Sequence, residues 1–157
     1  MSTLQPLIDQ YLAGPKTLRQ AITGMSREQA LTRPVAGKWS TLEVVAHIAD
    51  FDPILADRMK RVIAEEKPCL LGADENRFAT ALAYHERDLQ EELTIIEATR
   101  SQLARILRKL PDSALERVGI HNERGPRTLG QLLQGAIDHI PHHVKFVLEK
   151  RQALGLK

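Results

Sequence analysis

The chain has 157 residues, with 43% apolar and only 4% aromatic content, which suits one domain around a full hydrophobic core. Its 22 basic and 20 acidic side chains leave a formal charge of +2 scattered along the sequence, too weak and dispersed for a nucleic-acid footprint. No window approaches about 18 uninterrupted apolar residues and no cationic segment precedes an apolar run at the amino terminus, so no membrane partner and a cytoplasmic location are expected.

The first predicted helix runs from about Thr3 to Met25 on a stripe of Leu4, Leu7, Ile8, Tyr11, Leu18 and Ile22, with Gly14-Pro15 as a kink or short break. Ser26 and Gln29 form a capping box for a brief helical turn, followed by the loop TRPVAGK. Ser40 and Glu43 form a second box, S-x-x-E, opening a helix to about Glu66.

Pro68 and Gly72 punctuate a connection of about a dozen residues. Cys69 falls within it as an ordinary loop thiol, and a single cysteine excludes an internal disulfide and a Cys-rich zinc motif. The third helix is expected to begin between Glu75 and Thr80 and run to Leu110, on Leu82, Leu89, Leu93, Ile96, Leu103, Leu107 and Leu110. After Pro111 and Gly119, the polar stretch HNERGP leads to Thr128, which with Gln131 caps a last helix reaching about Ala153.

No segment shows a strand pattern or an internal repeat. The expected fold is all-α, a four-helix bundle forming a single domain over residues 1–157. A dozen extended residues span roughly 40 Å, so the second and third helices can be parallel through a crossover or antiparallel.

Histidines carry the chemistry. On the last helix, His139 and His143 lie one turn apart, about 80° and 40° from the centre of the apolar stripe, whereas His142 lies about 160° away and faces solvent. On the second helix His47 lies at the stripe's edge, about 80° from its centre. Three imidazoles in a small core are costly unless hydrogen-bonded or ligated, and a divalent ion would satisfy one nitrogen on each ring. Three neutral histidines leave positions open for water and substrate, as in a catalytic metal site. The alternative is a set of hydrogen-bonded core histidines.

Asp50 and Asp138 are available as acceptors that would orient the imidazoles. Pro141, inside the last helix, removes the hydrogen bond to the Ile137 carbonyl and favours a kink. His85 falls on the apolar stripe of the third helix and reads as a satisfied core histidine; His121 reads as a loop histidine bonded locally. No nucleophilic-serine, phosphate-loop or dinucleotide motif is present.

The segment KWSTLEVVAHIADFD resembles the W-S-x-x-E-x-x-x-H-x-x-D signature of the DinB-like, damage-inducible superfamily, through Trp39, Ser40, Glu43, His47 and Asp50. The segment HNERGPRTLGQLLQGAIDHIPHHVKF is similar to that family's second block, through His121, Gly125, Thr128, Leu129, Leu132, Leu133, His139, His142 and His143. Pro141 departs from the usual residue between the ligand pair.

The resemblance implies an up-down-down-up bundle with a long crossover between the second and third helices. It further implies a divalent metal, zinc or nickel, on His47, His139 and His143, and relatives that often dimerise. Some relatives are transferases or isomerases using bacillithiol, mycothiol or glutathione. The leading expectation is a metal-dependent, thiol-using transferase acting on a small molecule as a homodimer. A metal-dependent hydrolase and a non-catalytic, stress-associated binding protein are the alternatives. His85 and Asp50 are the candidates for a general base.

Overall fold

The structure, a computed structural model, describes residues 3–157. Six helices occur among them: α1 (Leu4–Ile22), α2 (Arg27–Leu31), α3 (Thr41–Ala64), α4 (Glu75–Ala81), α5 (Leu89–Leu107) and α6 (Leu129–Ala153). Helices α1, α3, α5 and α6 form the bundle. None is long and apolar enough to cross a membrane.

Side-chain cross-links give the helix directions. Along α1, Tyr11 meets Arg100 and Arg19 meets Gln90, so α1 and α5 are antiparallel. Asp52 meets Arg100 and Lys60 meets Gln102, so α3 and α5 are parallel. Arg100 also reaches Ala136 of α6, while Arg151 bonds the Ala21 carbonyl, so α6 runs with α1. The topology is up-down-down-up, and the segment from Glu65 to Asp88 is the crossover.

The expected start of the third helix between Glu75 and Thr80 is corrected: α4 is a separate short helix, and α5 begins at Leu89. Two aspartates produce the division. Asp74 accepts from the Asn76 and Arg77 amides, and Asp88 from the Gln90 and Glu91 amides, each capping its own helix. Between them Ala83 adopts a left-handed conformation (φ 49°), and a 3-10 turn spans Tyr84–Glu86. Leu82 and Leu89 lie two turns apart in an ideal helix, so the apolar spacing runs through this break unnoticed.

Three short strands also form where no strand pattern was legible. Strands β2 (Val118–His121) and β3 (Gly125–Thr128) make an antiparallel hairpin from the HNERGP stretch, and β1 (Cys69–Leu70) pairs with β2 in parallel. Gly119 is required by contact: a Cβ there would lie 2.7 Å from Val62 Cγ2 and 2.8 Å from Leu70 Cδ1. Cys69 is exposed on β1.

The bundle interior is divided by one charged pair. Leu4, Tyr11, Met59, Leu103, Leu107 and Leu133 belong to one apolar cluster; Leu18, Val45, Ile48, Leu93, Ile96 and Val147 belong to the other. At the boundary Arg100 and Asp52 are both fully buried. The guanidinium donates to the Asp52 carboxylate at 2.6 and 2.9 Å, to the Tyr11 carbonyl at 2.8 Å and to the Ala136 carbonyl at 2.8 Å. It also stacks 4.5 Å from the Tyr11 ring centroid.

Gly14-Pro15 serves this arrangement rather than breaking α1, which is continuous through Pro15. Proline has no N–H, so the Tyr11 carbonyl four residues earlier has no helical donor and accepts from Arg100 instead. A Cβ at residue 14 would lie 2.6 Å from Arg100 Nη1. Helix α6 is likewise continuous through Pro141.

Asp52→Ala leaves the Arg100 charge buried without its carboxylate, and the expected loss is about 3–5 kcal/mol in a denaturant titration. Asp52→Leu combined with Arg100→Met should recover most of it. A loss below about 1 kcal/mol for Asp52→Ala would contradict the role given to the pair.

Candidate metal centre

Capping boxes set where the histidines fall. Ser40 Oγ accepts from the Glu43 amide at 3.1 Å and the Glu43 carboxylate accepts from the Ser40 amide at 2.7 Å, which places His47 about two turns into α3. Thr128 and Gln131 make the same reciprocal pair at the start of α6, both at 3.1 Å. His139 and His143 then follow one turn apart on the face that meets α3.

The three side chains converge on one point. His47 Nε2 lies 3.1 Å from His139 Nε2 and 3.0 Å from His143 Nε2, and the three ligand atoms all fall within 4.8 Å of one another. His47 and His143 are buried, and His139 is partly so. The ring of His47 is held between Trp39 and Phe51, at centroid distances of 5.4 and 4.5 Å.

Burial pushes the His47 imidazole down to about 4, aided by the nearby His139. It pushes His139 to about 3, with His143 and Arg100 adding to the effect, and His143 to about 3, with His47 adding. All three rings are therefore neutral near pH 7, which is the form that ligates metal. Neutral rings cannot fill the space between three Nε2 atoms with more than a shared proton. A divalent ion fits: at about 2.0–2.1 Å from each nitrogen, tetrahedral ligands lie roughly 3.3 Å apart, close to the two separations that His47 Nε2 makes.

The expected orienting acceptors are corrected. Asp50 is engaged by Arg87 at 2.7 and 2.9 Å, and that guanidinium also bridges to Glu92. Asp138 accepts from Gln134. The Nδ1 atoms of His47 and His139 are buried with no hydrogen-bond partner among the described residues. Ring packing and the Nε2 contacts among the three histidines, not a carboxylate on Nδ1, hold these two imidazoles in place.

His142 is exposed and faces the Phe146 ring at 5.3 Å. His85, expected in the core, is exposed in the 3-10 turn, because α5 starts four residues after it. His121 is buried on β2, where its Nδ1 accepts from the Glu123 amide at 3.2 Å.

A cavity of about 740 Å³ opens on the histidines, bordered by the loop before α3, by α3 and α6, and by the crossover and the hairpin turn. Trp39, Phe51 and Phe146 supply its aromatic wall, and Lys38, Arg58, Arg124 and Lys150 its cationic groups. From the crossover, Glu75 brings a carboxylate oxygen to 3.8 Å from His47 Nε2. Phe78, one turn further along α4, packs on Phe51 at 5.3 Å and seats that helix over the site. Glu75 was not singled out in the sequence, because α4 could not be separated from α5.

A family model described as the DinB superfamily matches residues 10–147. A protein of Oceanobacillus iheyensis named "Putative metal-dependent hydrolase OB0782" is 28% identical over 133 residues, covering 85% of this chain and 77% of its own length. YfiT of Bacillus subtilis, named in the same way, is 26% identical over 142 residues, covering 90% of this chain and 80% of its own length. The solved structure of YfiT, described as an unusual four-helix bundle topology, superposes with a TM-score of 0.91 at 24% identity, covering 100% of this chain and 91% of that one.

His143→Ala should lose most of the zinc retained by tag-free protein after stoichiometric loading and desalting, whereas His142→Ala should keep it. Elemental analysis reads both; equal loss in the two variants would refute the assignment of ligand faces.

Proposed function

The chain belongs to the DinB superfamily, and on that premise we propose that it is a metal-dependent enzyme holding a divalent ion, zinc or nickel, on His47, His139 and His143. The observation that carries this reading is the convergence of three neutral Nε2 atoms beside an open cavity. When bound, the ion supplies Lewis acidity that makes a nucleophile available near neutral pH. A site with three protein ligands leaves positions for that nucleophile and for substrate.

The chain's own residues supply the rest. Trp39 and Phe51 fix the His47 ring and limit access of water to it. Glu75, half exposed and 3.8 Å from His47 Nε2, is within reach to accept the proton that a nucleophile gives up.

Thiol transfer is the preferred branch. Four cationic side chains border the cavity, one of them, Lys38, paired with Glu149, against the carboxylates of Glu75 and Glu123, which favours an anionic co-substrate. Among low-molecular-weight thiols, the carboxylate-bearing bacillithiol and glutathione types match that lining. Hydrolysis is the second reading, supported by the names of the relatives and by the carboxylate of Glu75 beside the site.

Metal-loaded protein mixed with glutathione or bacillithiol and an electrophile such as a haloarene should consume thiol in a metal-dependent manner. Glu75→Gln should lower kcat by about 10²-fold or more with metal content unchanged. Turnover of simple esters without thiol would move the assignment to hydrolysis. Neither activity across a panel of thiols, electrophiles and esters would contradict the enzyme reading.

A further inference from the structure

Lys150 is an unusual residue to find in this wall. It is 1% exposed, yet among the described residues its ammonium has one hydrogen-bond acceptor, the Phe146 carbonyl of its own helix at 3.2 Å, besides the Phe146 ring at 6.0 Å. No carboxylate of the described residues lies within 4.0 Å of it. The neighbouring Lys38 is different: Glu149 accepts from it through both oxygens at 2.9 Å. A buried cation with two unused donors is costly unless an anion joins it.

Its place on α6 is informative. Residues 139, 143 and 150 share one helical face, since separations of seven and eleven residues return close to the same direction. The side chain leans back towards His143, with its ammonium at the level of the Phe146 carbonyl. The Phe146 ring lies between the two, its centroid 6.1 Å from the His143 ring and 6.0 Å from the Lys150 ammonium, and Trp39 also borders the cavity.

We propose that Lys150 is the anion subsite of the cavity, receiving a carboxylate that the co-substrate carries one to two helical turns, roughly 5–10 Å, from its reacting atom. Trp39 and Phe146 form the apolar shelf across which the intervening atoms lie. The ligand class is thus a small organic acid of several bonds' length, such as a peptide-like thiol, rather than a compact one such as cysteine. Burial lowers the Lys150 pKa, with Glu149 and Glu43 opposing that effect and Lys38 adding to it.

This inference deepens the reading of the cavity as the substrate site, but it can be tested without metal or turnover. Isothermal titration of the metal-free full chain with S-methylglutathione, which keeps both carboxylates but has no free thiol, is expected to show saturable binding. Lys150→Met should weaken it at least tenfold and Lys150→Arg should restore most of the loss. N-acetylcysteamine, which has a thiol and no carboxylate, should show no difference between wild type and Lys150→Met. Circular dichroism reads whether Lys150→Met folds; if it does not, the comparison passes to Lys150→Gln. Absence of S-methylglutathione binding, or equal binding by the wild type and the folded variant, overturns the subsite. Intact binding in a protein that transfers no thiol would retain the subsite and reject the thiol-transfer reading.

Discussion

One guanidinium fixes the relative height of all four bundle helices. Arg100 on α5 bonds Asp52 on α3, the Tyr11 carbonyl on α1 and the Ala136 carbonyl on α6, with no exposure to water. Apolar side chains tolerate small slides along a helix interface; a planar fork with directional partners does not. His47 lies five residues before Asp52 and His139 three residues after Ala136. The same contacts that hold Arg100 therefore set the height at which α3 and α6 present their imidazoles. A buried charged pair contributes little net stability over a well-packed apolar substitute. Its effect here is on register, and register is what a three-ligand site needs to within about 0.5 Å.

The up-down-down-up order follows from the same frame and has a consequence for function. Parallel α3 and α5 need a connection as long as a helix, and that length is available to build a wall. The crossover contributes Glu75, Phe78 and the strand β1, which pairs with β2 and ties the hairpin to α3. The cavity thus combines bundle residues, which present the histidines, with crossover residues along another wall.

The frame of the site was legible because capping boxes and helical phase are local. Ser40 with Glu43 and Thr128 with Gln131 fixed both helix starts, and the 100° step separated His143 from His142. What escaped was tertiary. Asp88 caps a new helix where the apolar spacing suggests continuation, and β1 is too short to show alternation, being stabilised by a partner some 50 residues away. Asp50, available to a histidine by its spacing, is taken by Arg87, a neighbour that helical phase on α3 does not reveal. Arg100 and Asp52 did leave a trace: Arg100 falls in the stripe Leu93, Ile96, Leu103, Leu107, and Asp52 between Ile48 and Ala56. Opposite charges in two apolar stripes are the signal of a buried pair.

The central claim is that His47, His139 and His143 present three nitrogens to one ion and leave it open to exchangeable ligands. X-ray absorption at the metal edge of tag-free, zinc- or nickel-loaded protein measures this directly. The expected spectrum has three imidazole nitrogens, near 2.0–2.1 Å for zinc, with one or more light-atom ligands that change when a thiol is added. A first shell filled by protein atoms and unchanged by thiol or substrate, or an ion bound without imidazole scattering, would contradict the account.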